Sequence, residues 1–292
     1  MSENTTINPM KKFEPGISSW SFPWASGAAS GPQPTEKLTP IQLLSKAIDL
    51  GVALVQIADN MPLELLSSEQ LIELKEFAKT NHIRIEVGTK GVDYEHLYKL
   101  LEIAIFLESP VLRTIPALFG KKIGMEELEQ CINKVLPRFQ KEGIVIVLEN
   151  TEAFFAAEYA ALMDRINHPN FRMCIDLANA IGRFEGPYYV MDLLSKYCAN
   201  YHFKDVKITR SPSLMGFSVE GTISGQGNIP LEYALQSLVN YGLFTSVIIE
   251  LWPPLLPNFE ETLLFEQQIV NESVRFMKSF LENFNEQNFL NK

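Results

Sequence analysis

The feature that most constrains this chain is an alternation running through nearly its whole length: a short β-rich apolar run, then an amphipathic helical stretch, eight times over. The apolar runs fall at about 13–19, 52–58, 83–88, 111–115, 144–149, 171–176, 198–204 and 246–251. Several are apolar almost throughout, as in Ile144-Val145-Ile146-Val147-Leu148. A strand with no polar face is covered on both sides, which predicts a parallel sheet. Thr39 to Leu50 places Ile41, Leu44, Ala47 and Ile48 on one helical face. Ser68 to Lys79 does the same with Leu71, Leu74, Phe77 and Ala78, with Ser68 in the N-cap position. Further helices are expected near 92–107, 125–141, 155–167, 188–197, 230–241 and 259–283.

Eight strand–helix pairs predict an α/β fold, a single-domain (β/α)8 TIM barrel closed so that no edge strand remains. The length, 292 residues, is that of one complete barrel. An open doubly wound sheet is the alternative, but no GxGxxG follows any strand. No Gly/Ser/Pro-rich linker divides the chain, and the richest such stretch, Ala25 to Pro34, reads as a long loop over the barrel mouth. The expected organisation is a flexible N-terminal segment at 1–12, the barrel at 13–284 and a polar C-terminal tail at 285–292.

Lys and Arg number 25 against 35 Asp and Glu, a formal charge of −10. That balance disfavours a nucleic-acid surface, where phosphates call for excess cations, and docking on anionic lipid. The longest unbroken apolar run, Ile144 to Leu148, is far too short to cross a bilayer. Met1 to Lys12 is polar and has no signal-peptide pattern. The three cysteines have no CxxC spacing, as in a reduced, cytoplasmic protein.

In such a barrel the chemistry sits at the carboxyl ends of the strands, so polar groups ending apolar strands are the candidates. Strand 5 ends in Leu148-Glu149-Asn150 and strand 6 in Cys174-Ile175-Asp176. Strand 7 runs Tyr201-His202-Phe203-Lys204-Asp205, and strand 8 ends in Ile249-Glu250. Three carboxylates and an imidazole thus lie at similar heights on four consecutive strands. Carboxylates gathered in one pocket would take up protons unless a cation neutralised them. Three oxygens and one nitrogen suit Mn2+, Mg2+ or Co2+ better than a structural zinc. His82, His96 and His168 fall in loops or on helix surfaces and have no part in this set.

The segments Val147-Leu-Glu149-Asn150, Asn167-His-Pro-Asn170, Cys174-Ile-Asp176-Leu-Ala-Asn179, His202-Phe-Lys204-Asp205-Val206, Gly225-Gln-Gly227 and Ile249-Glu250 resemble the xylose isomerase-like barrel superfamily. That group includes sugar isomerases and epimerases, inosose dehydratases and metal-dependent apurinic endonucleases. The resemblance implies that Glu149, Asp176, His202 and Glu250 hold one divalent ion, with Mn2+ the foremost candidate. It also implies that Glu149 and Glu250 move protons. A keto sugar bound to the ion would lose the proton beside its carbonyl to give an enediolate, and Lys204 could stabilise the enediolate oxygen. A salt bridge to Asp205 or Glu250 is the other account of Lys204. The leading expectation is therefore a metal-dependent isomerase or epimerase of a small keto sugar. A lyase on the same scaffold, an inosose-type dehydratase or a sugar-acid decarboxylase, is the alternative. The ketose 3-epimerases of the superfamily carry a His where this chain has Asn179 and an Arg where it has Ile208, so the pattern lies closer to the branch with dehydratase and lyase relatives. The endonuclease reading lacks the many histidines and basic groove it requires.

Around the mouth, Trp20 and Trp252 could stack on sugar C–H faces, with Trp24 a weaker candidate. Glu86, Lys90 and Arg113 could bind hydroxyls or a carboxylate, with Arg113 preferred for its planar fork, and Asn179 could meet a hydroxyl. Gly221, Gly225 and Gly227, with Lys207 and Arg210, lie where barrels often hold phosphate. The same glycines also serve simply to shape a turn, and a free sugar or sugar acid is preferred as substrate. Phe265, Phe276, Phe280 and Phe284 exceed what one helix face needs, which fits packing under the barrel or a homodimer contact.

Overall fold

The computed structural model describes residues 13–118, 122–239, 241 and 246–290, with side chains described up to Phe284; the expected flexible segment 1–12 lies outside them. Eight parallel strands close into a barrel: β1 (Glu14–Ser18), β2 (Leu54–Ile57), β3 (Arg84–Gly88), β4 (Val111–Thr114), β5 (Val145–Glu149), β6 (Phe171–Asp176), β7 (Cys198–Phe203) and, after an inserted hairpin, β10 (Ser246–Ile249). Closure comes from β1 pairing β2 on one side, at Ile17 with Val55, and β10 on the other, from Glu14 with Ser246 to Ile17 with Ile249. Helices α1 (Pro40–Leu50), α2 (Ser68–Thr80), α3 (Tyr94–Phe106), α4 (Met125–Glu142), α5 (Ala156–Ile166), α6 (Leu177–Ile181), α7 (Pro187–Leu194), α8 (Leu231–Val239) and α9 (Phe259–Leu290) lie between and after the strands.

Local signals account for the helix starts. Thr39 caps α1 reciprocally with Gln42, Pro40 takes the first turn, and Gly51 ends it at φ 65°. The cap of α2 is Ser67, paired with Gln70, one residue before the expected Ser68. The buried faces carry Leu44 and Ala47 of α1 and Leu74 and Ala78 of α2, while Ile48 of α1 is exposed.

The stretch between β7 and β10, which carries Lys207, Arg210 and the three glycines, contains an antiparallel hairpin, β8 (Val206–Arg210) and β9 (Phe217–Gly221). It is anchored by Asp205, whose carboxylate accepts the backbone N–H groups of Val206 (2.9 Å), Gly225 (2.9 Å), Gly227 (2.8 Å) and Ile229 (3.1 Å). The glycine loop therefore already holds an anion, and that anion belongs to the chain. A Cβ at Gly227 would lie 2.1 Å from Asp205 Oδ1, which is why this turn needs glycine.

The helix α9 runs through Leu290, so the expected tail at 285–292 is helical for most of its length. Phe276, Phe280 and Phe284 pack as a ladder along the outside of the barrel rather than under it. Phe276 and Phe280 stack at 5.4 Å and both meet Phe203, and Phe284 meets Phe13 at 6.0 Å. On its outer part, Glu266 accepts the backbone N–H groups of Trp24 (2.7 Å) and Ala25 (3.0 Å), while Trp24 Nε1 donates to the Pro253 carbonyl (2.8 Å). Ala25 and Pro34, at the two ends of the expected mouth loop, line a groove against α1 and α9. Helix contacts compete successfully for this stretch because Glu266 supplies buried acceptors for its backbone donors.

Candidate metal centre

The four strand-end residues converge. Glu149 and Asp176 are the last residues of β5 and β6, His202 lies opposite Asp176 in the β6–β7 ladder, and Glu250 follows β10. All four are buried, and one ligating atom from each lies within 4.8 Å of the others. Nδ1 of His202 sits 3.4 Å from Glu149 Oε2, 3.3 Å from Glu250 Oε2 and 3.8 Å from Asp176 Oδ2. It is a buried polar atom without a hydrogen-bond partner, aimed at three carboxylates.

The layer beneath explains that atom. His202 Nε2 lies 3.0 Å from Gln56 Oε1, and Gln56 Nε2 donates to Glu86 Oε2 at 3.2 Å. Glu86 also accepts from Asn200 (3.0 Å), which donates to Ser246 (2.6 Å) and accepts from the Cys174 thiol (3.0 Å). Because the Gln56 amide nitrogen faces a carboxyl group, its oxygen faces the imidazole, so Nε2 donates to it and Nδ1 is the nitrogen left to face the carboxylates. A divalent ion binding among the three carboxylates would displace the proton from Nδ1, and that nitrogen would then be its ligand.

Charge agrees with this reading. Arg113 Nε donates to Glu149 Oε2 at 2.6 Å, its Nη2 pairs with the same oxygen, and its Nη1 reaches Asp59 at 3.2 Å. Lys204 Nζ lies 2.5 Å from Asp176 Oδ2 and 3.2 Å from Glu250 Oε2. Four carboxylates thus face two fixed cations, and a divalent ion would cancel the remainder. Burial alone would lower the His202 pKa, but Cys174, Glu250 and Glu149 push it well above the ordinary value. Burial would raise the carboxyls of Asp176 and Glu250. Lys204 with His202, and His202 with Lys204 and Arg113, hold them below the usual range instead. The site attracts positive charge strongly, and its donor set fits a hard divalent ion.

Other short bonds fix the ligands. Asp176 Oδ1 caps α6 by accepting from Ala178 (2.9 Å) and Asn179 (3.1 Å), which leaves Oδ2 for the cluster. Asn150 clamps the end of β6, donating to the Asp176 carbonyl and accepting its N–H, both at 2.8 Å. Ser18 donates to Glu250 Oε1 at 3.1 Å, and Asn179 to Glu149 Oε1 at 2.8 Å.

Above the cluster lies a cavity of about 400 Å³. Trp20, Arg113, Asn179, Lys204, Glu250 and Trp252 all line it. Trp20 donates through Nε1 to Asp59 (3.1 Å), and the Trp252 ring, 40% exposed, lies 4.8 Å from Lys204 Nζ. Lys204 pairs with Asp176 and Glu250, whereas Asp205 turns away to its hairpin. Two expectations change here. Glu86, expected among the groups at the mouth, is fully buried in the barrel interior, two residues below the end of β3, where it holds Gln56; burial raises its pKa. Trp24 is buried against Pro253 and does not line the cavity. Gln56, Asp59 and Ser18 join the site without having been expected there. A visible signal existed for Gln56, the one polar residue in the apolar run Leu54-Val55-Gln56-Ile57.

A closed eight-stranded barrel with three carboxylates and a histidine at its carboxyl rim places this protein in a known class: the chain belongs to the xylose isomerase-like TIM barrel family, whose profile matches residues 44–280. It is 27% identical over 262 residues to the 3-oxo-isoapionate decarboxylase of Pectobacterium atrosepticum, covering 90% of this chain and 94% of that protein. The D-psicose 3-epimerase of Clostridium cellulolyticum, solved with D-tagatose, shares the fold with a TM-score of 0.69 at 17% identity, covering 92% of this chain and 99% of that one. A xylose isomerase-like barrel protein of Mycobacterium smegmatis, solved with magnesium, aligns with a TM-score of 0.64 at 14% identity over 90% and 98% of the two chains. Among the described residues, no helix is long and apolar enough to cross a membrane.

Proposed function

We propose that this chain is a divalent-metal-dependent lyase that removes the carboxylate of a small keto sugar acid as carbon dioxide. The observation that carries this reading is the inequality of the two glutamates. Glu149 is clamped by Arg113, which does not release a proton, and by Asn179. Glu250 is paired with Lys204, whose ammonium can give one. The site therefore exchanges protons from one side. Two-base epimerisation needs a proton taken from one face and another returned to the opposite face, whereas decarboxylation needs one proton delivered once.

Glu149, Asp176, His202 and Glu250 would hold the ion, with Mn2+ preferred and Mg2+ or Co2+ as alternatives. When bound, the ion supplies positive charge that draws electrons toward the keto oxygen. The bond between the carboxyl carbon and its neighbour breaks, its electron pair moves into the enolate, and carbon dioxide leaves. Lys204 then donates a proton to the carbon that lost the carboxylate and regains one from solvent. Trp20 and Trp252 give C–H faces a wall, and Asp59 and Asn179 offer hydroxyls hydrogen-bonding partners. The similarity to a decarboxylase along nine-tenths of the chain supports the same reading.

A one-base isomerisation of a keto sugar is the second reading, favoured by the same Glu250–Lys204 pair. One experiment separates them. The Mn2+-loaded protein is incubated in D2O with a 3-keto sugar acid labelled with 13C at its carboxylate. The expected result is labelled carbon dioxide and a product with one deuterium at the former carboxyl-bearing carbon. Deuterium entering a product that keeps its label overturns decarboxylation in favour of isomerisation.

A further inference from the structure

Three cations line the mouth cavity, Lys90, Arg113 and Lys204, and two of them are already committed. Arg113 is held by Glu149 and Asp59, and Lys204 by Asp176 and Glu250. Lys90, two residues past the end of β3, makes no hydrogen bond or ion pair with any described residue. It stands where a smaller recess of about 210 Å³ opens off the cavity, and the two spaces share Asp59, Lys90 and Ala117. We propose that Lys90 is the specificity-determining residue that binds the carboxylate of the substrate and selects a polyhydroxy acid over a neutral sugar of the same length.

Charge singles out Lys90. Asp59, Glu149, Glu152 and Glu250 also line the cavity, so an approaching anion meets repulsion on most sides. Arg113 has the better geometry for a carboxylate, but releasing it would strand Glu149, which is buried. Lys90 has no such tie, and its long stem lets the ammonium follow the ligand. In the recess, Thr89 and His96 (Oγ1 to Nε2, 2.7 Å) place polar groups near the same end of a bound acid, while Glu64 adds to the negative charge that Lys90 would offset.

The proposal rests on the reading of this cavity as a sugar-acid site, and it carries a kinetic signature. The negative charge that Lys90 binds disappears as carbon dioxide forms, so the contact stabilises the bound acid more than the transition state. Losing it should raise KM without lowering kcat.

The direct test is calorimetric titration of the Mn2+-loaded protein, as wild type, Lys90→Met and Lys90→Arg, with gluconate and with sorbitol, the same carbon chain without the carboxylate. Wild type should bind gluconate about tenfold or more tightly than sorbitol, as a charge-assisted contact requires. Lys90→Met should bring gluconate down to the sorbitol level with sorbitol unchanged, and Lys90→Arg should keep most of the preference. A gluconate preference that survives in Lys90→Met overturns the proposal, as does a wild type that shows no preference. With the keto acid, carbon dioxide released at unchanged KM by Lys90→Met sinks this proposal and leaves the lyase reading standing. A Lys90-dependent gluconate preference without carbon dioxide release does the reverse.

Discussion

His202 faces three carboxylates through one nitrogen and the amide of Gln56 through the other, so the orientation of its ring depends on a residue that is not itself one of the four candidate ligands. Gln56→Leu should lower divalent-ion affinity by about 10–100-fold while far-ultraviolet circular dichroism stays that of the wild type, as titration of the purified protein with Mn2+ would show. Arg113 makes the complementary case. Arg113→Met leaves Glu149 buried without its counter-charge and should cost about 3–5 kcal/mol in urea unfolding. Adding Glu149→Gln should return most of that loss, because the uncompensated charge is then gone. The four candidate ligands were legible in the sequence because each is a polar group at or near the end of an apolar strand. Gln56 showed only as a polar residue in an apolar run, and Asp59 and Ser18 not at all, since their partners lie 146, 54 and 232 residues away and only closure of the barrel brings them together. Glu86 shows the opposite error: a charged residue late in a strand reads as a mouth residue unless the stagger of the strands is known.

Among the elements, the hairpin β8–β9 and the segment after β1 are each tied by one carboxylate. Asp205 accepts four backbone N–H groups, and Asp205→Ala should cost at least about 3 kcal/mol and speed amide exchange at Gly225 and Gly227, measured by hydrogen–deuterium exchange. Glu266 does the same for Trp24 and Ala25, but burial pushes its pKa up to about 7 from 4.5 despite those two donors. The folded chain therefore binds that proton more tightly than the unfolded chain. The contribution of Glu266 to stability is complete below about pH 4.5 and is lost as the pH rises through about 7. Melting curves of wild type and Glu266→Gln between pH 4.5 and 7.5 should converge at the acid end and diverge toward neutrality, with the variant losing less. Most regular elements were readable from hydrophobic period, but the short α6, started by the Asp176 cap, was not. The hairpin was not, because its strands expose Ile208, Phe217 and Val219 and so lack an apolar face directed at the core.

At the scale of the whole molecule, the barrel concentrates negative charge at one end and closes it in. An ion binding there joins four strands and, because those ligands are scattered in the unfolded chain, favours the folded form. Saturation with Mn2+ at about a hundred times its dissociation constant should add about 2.7 kcal/mol, seen as a rise in Tm that EDTA reverses. His202→Ala should remove that rise. The alternation of strands and helices announced this architecture before any coordinate, whereas the depth of the site did not follow from it.

The amides and carboxyl group running from His202 through Gln56, Glu86 and Asn200 to Ser246 join the reactive rim to the middle of the cylinder. In most barrels the interior filling can drift among similar shapes without disturbing chemistry above it. Here it cannot: exchanging Ser246 or Cys174 for an aliphatic neighbour of equal bulk would strand a donor or acceptor and send the misfit upward, link by link, to the imidazole. Evolution of this protein toward new substrates is thereby steered to its loops, since its innermost layer is already spoken for.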